Sequence, residues 1–230
     1  MRVISGKRRG LKLNPPAEDS PIRPTADRVK ESVFNLIAFD LEGKFLDLFC
    51  GSGQVGIEAV SRGCEKAVLC DNSKESIDLA KSNVKKSGLG EGIEFFFGDY
   101  KKYLRTTSYK FKIIFIDPPY SNGLAEKALV EIGKADSCLR DDGLVVVECK
   151  NDEKFDEYYG RLRLIDRRRY GLASVLIFKP ADIEAAESEG ENGDSDERFC
   201  EKEKRRLPGF VRPDHERPRR YYKARREDFR

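Results

Sequence analysis

The sequence predicts an α/β protein, with seven strands in an open, mostly parallel sheet, helices on both faces and a terminal antiparallel hairpin. Three observations carry this expectation. Short apolar runs alternate with helical patterns from residue 44 to residue 149, as in parallel strands joined by crossover helices. The first apolar run leads straight into a glycine-rich turn and then a helical pattern. Beyond Cys149 the alternation stops, and two strand-like runs follow with only a tight Tyr170-Gly171 turn between them, which predicts a closing hairpin.

Taken in order, residues 2–13 alternate basic and apolar side chains around Gly6 and Gly10, a pattern suited to a small hairpin. Residues 25–39 place Val29, Val33, Leu36 and Ile37 on one helical face. Strands are expected at 44–49, 66–71, 93–97, 112–117, 143–149, 161–169 and 172–179, because these runs have the composition of buried strands. Helices are expected at 55–63, 73–88 and 124–139, where apolar residues recur at three-to-four spacing. Ser73 with Ser76 and Gly88 mark the two ends of the second.

Beyond Pro180 the composition shifts. Residues 182–203 are mostly acidic and 204–230 are dominated by Arg, with Phe210, Tyr221 and Tyr222 interspersed. So few apolar residues cannot offset ordering entropy, and a largely disordered tail is expected. The expected organisation is an N-terminal basic hairpin or extension over 1–24, a central α/β domain over 25–180 and a charged tail over 181–230.

Composition excludes several classes. The 230 residues hold no apolar stretch of membrane-spanning length and no secretory signal pattern at Met1, so a soluble cytoplasmic protein is expected; a monomer is expected as well. Six cysteines contain no CxxC pair and only His215 accompanies them, so neither a disulfide framework nor a metal site is expected. The single histidine lies in the tail, which leaves no Ser-His-acid arrangement in the core. The net charge is only +3, yet 44 basic residues are available to cluster. Lys7, Arg8, Arg9, Arg23 and Arg28 do so near the N-terminus, a group suited to phosphate contacts with nucleic acid.

The central chemical signal is Phe45-Leu46-Asp47-Leu48-Phe49-Cys50-Gly51-Ser52-Gly53-Gln54-Val55-Gly56. Its glycines let a ligand approach the backbone. Gly51, Gly53 and Gly56 also satisfy the dinucleotide fingerprint, and Asp71 stands where a ribose-binding acid belongs. The glycines alone do not separate NAD from S-adenosylmethionine. Asp47 separates them: an acid at the strand end repels a pyrophosphate and attracts the ammonium group that S-adenosylmethionine carries. Asp47, Asp71 and Asp99 recur at three successive strand ends, the ends that form the ligand crevice in such sheets. Asp99 is a candidate for the adenine amino group and equally reads as a solvated turn acid.

The second signal is Asp117-Pro118-Pro119-Tyr120, directly after the apolar run Ile113-Ile114-Phe115-Ile116. Two prolines at a buried strand end fix the backbone and leave carbonyls unpaired. An exocyclic base amine is a poor nucleophile and needs acceptors that hold its hydrogens and direct its lone pair. Asp117 and the Pro118 carbonyl are such acceptors, and Tyr120 is suited to stack on a base flipped out of its helix.

With these residues in view, the topology resembles that of the Rossmann-like class I methyltransferases. The chain from Met1 to Pro180 resembles the bacterial 16S rRNA guanine-N2 methyltransferase family. The resemblance rests on Arg2-Val3-Ile4-Ser5-Gly6-Lys7-Arg8-Arg9-Gly10, on Arg23-Pro24-Thr25-Ala26-Asp27-Arg28-Val29-Lys30-Glu31-Ser32-Val33-Phe34-Asn35, and on the two motifs above. The tail departs from the family pattern. The resemblance implies S-adenosylmethionine as donor, a guanine N2 of 16S rRNA as acceptor and a partly assembled small ribosomal subunit as substrate. The residues themselves also admit a DNA adenine-N6 methyltransferase or a non-catalytic RNA-binding assembly factor. Asn more often stands in place of Asp117 in adenine enzymes, and the intact donor motif disfavours a non-catalytic role.

Overall fold

The computed structural model describes residues 1–17, 27–119, 123–134 and 137–181. Arg23, Tyr120, the first two residues of the helix expected over 25–39 and the tail from residue 182 onward lie outside the described residues.

The elements run α1 (Asp27–Leu36), β1 (Lys44–Asp47), α2 (Gln54–Ser61), β2 (Lys66–Asp71), α3 (Lys74–Ser87), β3 (Ile93–Phe97), α4 (Tyr100–Thr106), β4 (Phe111–Ile116), α5 (Leu124–Ile132), β5 (Leu139–Lys150), β6 (Tyr158–Tyr159), β7 (Leu162–Tyr170) and β8 (Ala173–Pro180). The strands form one sheet in the order β3-β2-β1-β4-β5-β8-β7-β6. β1 to β5 are mutually parallel, whereas β8 is antiparallel to β5 and to β7. The chain fills one half of the sheet from β1 to β3 and then crosses to β4, on the other side of β1. That reversal opens a crevice beyond the carboxyl ends of β1 and β4.

This is the Rossmann-like sheet that the sequence predicts, with eight strands instead of seven. The added strand is the two-residue β6, paired with β7 at one edge. Two further differences concern helices. The pattern over 124–139 suggests one helix, but α5 ends at Ile132 and β5 begins at Leu139. At Gly133, just past the helix, a Cβ would lie 1.9 Å from the Tyr159 carbonyl oxygen, so glycine is what lets the two backbones approach there. α4 has no counterpart among the expected elements. It packs through Tyr100, Tyr103 and Leu104, all buried.

Apolar side chains alternate between the two sheet faces. Phe45, Ile113, Phe115, Val146 and Val175 share one layer with α1, α2 and α3. Leu46, Ile114, Ile116, Val147 and Leu176 share the other with α4 and α5. Both faces are covered, which is why these strands read as unbroken apolar runs. α3 begins and ends where the sequence indicates: the Ser73 hydroxyl accepts from the Ser76 amide at 3.3 Å, and Gly88 closes the helix at φ +66°.

The N-terminal segment set apart in the sequence shares this core. Val3 and Leu13 are buried with α1 and α2, and the segment folds back on itself through an antiparallel bridge between Arg2 and Lys12. A buried ion cluster fastens it. Glu58 on α2, fully buried, accepts from the Ile4 and Ser5 amides at 2.7 and 2.9 Å and pairs with Arg62 at 2.7 Å and Lys30 at 3.6 Å. Lys30, equally buried, donates to the Arg2 carbonyl at 2.6 Å. Burial lowers the Lys30 pKa, and Glu58 opposes that shift. Removing one partner would strand the other charge away from water. Glu58→Ala is therefore expected to destabilise the protein by about 3 to 5 kcal/mol, read from denaturant unfolding; an unchanged midpoint would show that the cluster is dispensable.

Candidate active site

The turn after β1 is built by glycines that have no alternative. Gly51 and Gly53 hold φ of +50° and +74°, a region that side chains disfavour. Gly56, inside α2, faces β2 so closely that a Cβ would lie 2.1 Å from Leu69 Cδ2. Two acids clamp the turn. Asp71, half-buried at the end of β2, accepts from the Gly51 amide at 2.9 Å through Oδ2 and from the Ser73 amide at 2.8 Å through Oδ1. Asp47, 1% exposed, accepts from the Gly56 amide at 3.2 Å.

Parallel register brings further acids alongside. Ile116 pairs with Val147, so Asp117, the next residue, stands beside Glu148 on β5. Side chains alternate along a strand, which places Asp117 and Glu148 on the same face as Asp47. These like charges perturb one another. Burial first, then the charges of Asp117 and Asp71, push the Asp47 pKa up to about 8 against the opposing Gly56 hydrogen bond. Burial, and then Asp117, shift Glu148 in the same direction. Glu148 is only 6% exposed, and its Oε2 has no hydrogen-bond partner among the described residues. It lines a cleft of about 530 Å³ together with Pro118, Pro119, Leu124, Glu126 and Phe155.

The structure thus gathers Asp47, Gly51, Gly53, Gly56, Asp71, Asp117, Pro118 and Pro119 at the carboxyl end of the sheet. Asp99 stands at the end of the next strand and is engaged locally, where its Oδ1 caps α4 by accepting from the Lys101 and Lys102 amides at 2.9 and 3.1 Å. Cys50, in the glycine turn, is buried with its pKa raised by burial and by Asp47 and Asp71, which makes it a poor nucleophile.

Of the basic group, Lys7 and Arg8 form an exposed turn with Arg9, while Arg28 is exposed on α1. Ser61 holds the turn to α2, accepting from the Arg8 amide at 3.0 Å and donating to the Ser5 carbonyl at 2.7 Å. The Arg8 guanidinium lies over Gly88, where a Cβ would come within 2.8 Å of it. Lys85 and Lys86 occupy the last turn of that helix and extend the basic surface. Sequence reasoning missed these lysines and Glu148. A lone acid ending the apolar run Leu144-Val145-Val146-Val147 was the available signal for Glu148.

Comparison with known proteins bears on this site. The family model described as conserved hypothetical protein 95 matches residues 1–179. A Bacillus subtilis protein provisionally named rRNA methyltransferase YlbH is 39% identical over 184 residues, covering 78% of this chain and 98% of its own. The Haemophilus influenzae ribosomal RNA small subunit methyltransferase D is 34% identical over 158 residues, covering 66% and 80%. Among solved structures, an Escherichia coli protein provisionally described as methyltransferase yhhF superposes with a TM-score of 0.69 at 27% identity, covering 79% of this chain and 98% of its own.

The buried acid has a consequence for stability. An acid whose folded pKa lies above its unfolded value favours folding while protonated and opposes it once ionised, so its contribution is lost as pH rises from about 4 to about 8. Asp47→Asn keeps the shape and removes the titration. The unliganded variant is expected to gain stability over the parent as pH rises, with the two converging near pH 4; denaturant midpoints at about pH 5 and about pH 8 check this. A pH-independent difference would mean that Asp47 ionises freely in the folded protein.

Proposed function

Because the chain belongs to the conserved hypothetical protein 95 family, we propose that it methylates ribosomal RNA, transferring a methyl group from S-adenosylmethionine to the exocyclic N2 amine of a guanine in 16S rRNA within an assembling small subunit. The observation that carries this reading is the meeting of the clamped glycine turn with Asp117-Pro118-Pro119 at the point where the sheet order reverses. The names of the relatives support rRNA as the substrate class.

The residues present fit the donor. Burial first, then the charges of Asp117 and Asp71, disfavour ionisation of Asp47, and a cationic ligand opposes that effect while a pyrophosphate would worsen it. Gly51, Gly53 and Gly56 leave bare backbone for close approach. In this reading Asp47 favours the ammonium end and Asp71 accepts from the ribose hydroxyls, since each of its oxygens retains a second lone pair. An adenine contact by Asp99 falls to Oδ2, because Oδ1 is engaged with α4. Bound S-adenosylmethionine supplies a methyl group on a sulfonium that is already a good leaving group.

The acceptor side needs positioning more than acid-base chemistry. Asp117 and the Pro118 carbonyl hold the amine hydrogens and turn the nitrogen lone pair towards the methyl carbon. Pro119 stiffens the loop and Tyr120 stacks on the flipped base. The proton released once the N–C bond has formed passes to Asp117 or to water. Lys7, Arg8, Arg9, Arg23 and Arg28 contact RNA phosphates, and Lys85 and Lys86 extend that surface; they supply salt-dependent affinity without choosing the base.

The test is transfer of a radiolabelled methyl group to unmodified small subunits, naked rRNA and DNA in parallel, with nucleoside analysis of the product. N2-methylguanosine from subunits or RNA is expected; N6-methyladenine from DNA, or donor binding without any transfer, would overturn the reading. Asp117→Ala is expected to lower transfer at least about 100-fold with donor affinity nearly intact, as read by calorimetry. Asp71→Ala is expected to weaken donor binding by about tenfold or more; an unaltered donor affinity there would remove the ribose assignment.

A further inference from the structure

We propose that Glu148 selects the target base, accepting the N1 hydrogen of the guanine while Asp117 accepts a hydrogen of its N2 amine. This rests on the function proposed above and goes beyond it by assigning the base-reading contact. Three observations lead to it. First, the pairing of Ile116 with Val147 sets Asp117 and Glu148 side by side on one sheet face, on neighbouring strands about 4.8 Å apart. Two carboxyl groups so placed can bracket adjoining donors on one edge of one base.

Second, Glu148 is 6% exposed with Oε2 unpartnered among the described residues. A buried polar atom without a partner is costly and is retained where something comes to fill it. Third, Glu148 lines the cleft that Pro118 and Pro119 border. Asp117 directly precedes these prolines in the chain and adjoins Glu148 through the strand pairing, so a ligand held there can reach it as well as Glu148.

Guanine is the base that this pair suits. Its Watson–Crick edge presents N1–H and N2–H as adjacent donors, whereas adenine offers an unprotonated N1 that repels a carboxylate. Attraction for one edge and repulsion of the other together give discrimination. The raised pKa of Glu148 adds a signature, because guanine donors favour the ionised carboxylate and base binding then expels a proton. The charged groups around Glu148 are Asp117 beyond β4 and, in the cleft, Glu126 on α5 and Lys150, Asp152, Glu153 and Lys154 at and after the end of β5. On β8 the residue opposite it is the apolar Val175.

The experiment compares the full chain with Glu148→Gln, an isosteric change. Methyl transfer to unmodified small ribosomal subunits is followed across pH, and S-adenosylmethionine affinity is measured in parallel. The variant is expected to bind the donor as the parent does, to lose about 100-fold in kcat/KM, and to lose the rise of kcat/KM with pH that accompanies ionisation of Glu148. Retention of the parental rate and pH profile, or loss of donor binding along with transfer, would overturn the assignment and leave Glu148 a structural residue. Failure of the function itself is separable, since the parent chain would then methylate no RNA at all.

Discussion

How closely α2 is pressed against the sheet decides most of what this molecule presents to a ligand. Gly56 has no side chain, so the helix settles onto Leu69 and its amide reaches the carboxylate of Asp47. From that seating two consequences run in opposite directions along the helix. At its N-terminus the glycine turn is drawn under the crevice, where Asp71 ties it to β2. Two residues beyond Gly56, Glu58 is carried inward to meet Lys30 and Arg62 and the amides of Ile4 and Ser5. The basic turn over Lys7 and Arg8 is therefore placed by the same helix that builds the proposed donor site.

What the sequence revealed was what local chemistry decides. Both ends of α3 were visible because Ser73 and Gly88 act within one turn of the helix. The glycine turn was visible because positive φ leaves little choice of residue. What it concealed was decided at a distance. The need for glycine at 133, at the end of α5, comes from Tyr159, which is far along the chain beyond β5. α4 is short and outwardly lysine-rich, and only its contact with the sheet shows that Tyr100, Tyr103 and Leu104 form one buried face. Glu148 gains its interest from Asp117, which is adjacent through strand pairing and remote in sequence. Arg8 meets the end of α3 for the same reason.

The two groups of buried charge have opposite characters. Glu58 is matched by two cations and by amides, so its charge is compensated where it lies. Asp47 and Glu148 instead have raised pKa values, from burial first and then from the like charge of Asp117. The first arrangement holds chain segments together. The second stores unfavourable electrostatic energy at the crevice, as functional sites commonly do. Keeping the two apart lets the scaffold stay firm while the crevice remains poised for a cationic ligand.

The position of β8 bears on how the chain assembles during synthesis. The last strand of the sheet is not at its edge; it slots between β5 and β7. As the polypeptide emerges, β1 to β5 can join in order, but β7 and β6 have no place beside β5 until β8 exists to bridge them. The edge of β5 therefore stays open until β8 has been made, and an open strand edge invites pairing with other chains. Pairing of β8 closes this edge and seats β7 and β6 beyond it, and the stretch between β5 and β6 carries Phe155 in the wall of the cleft.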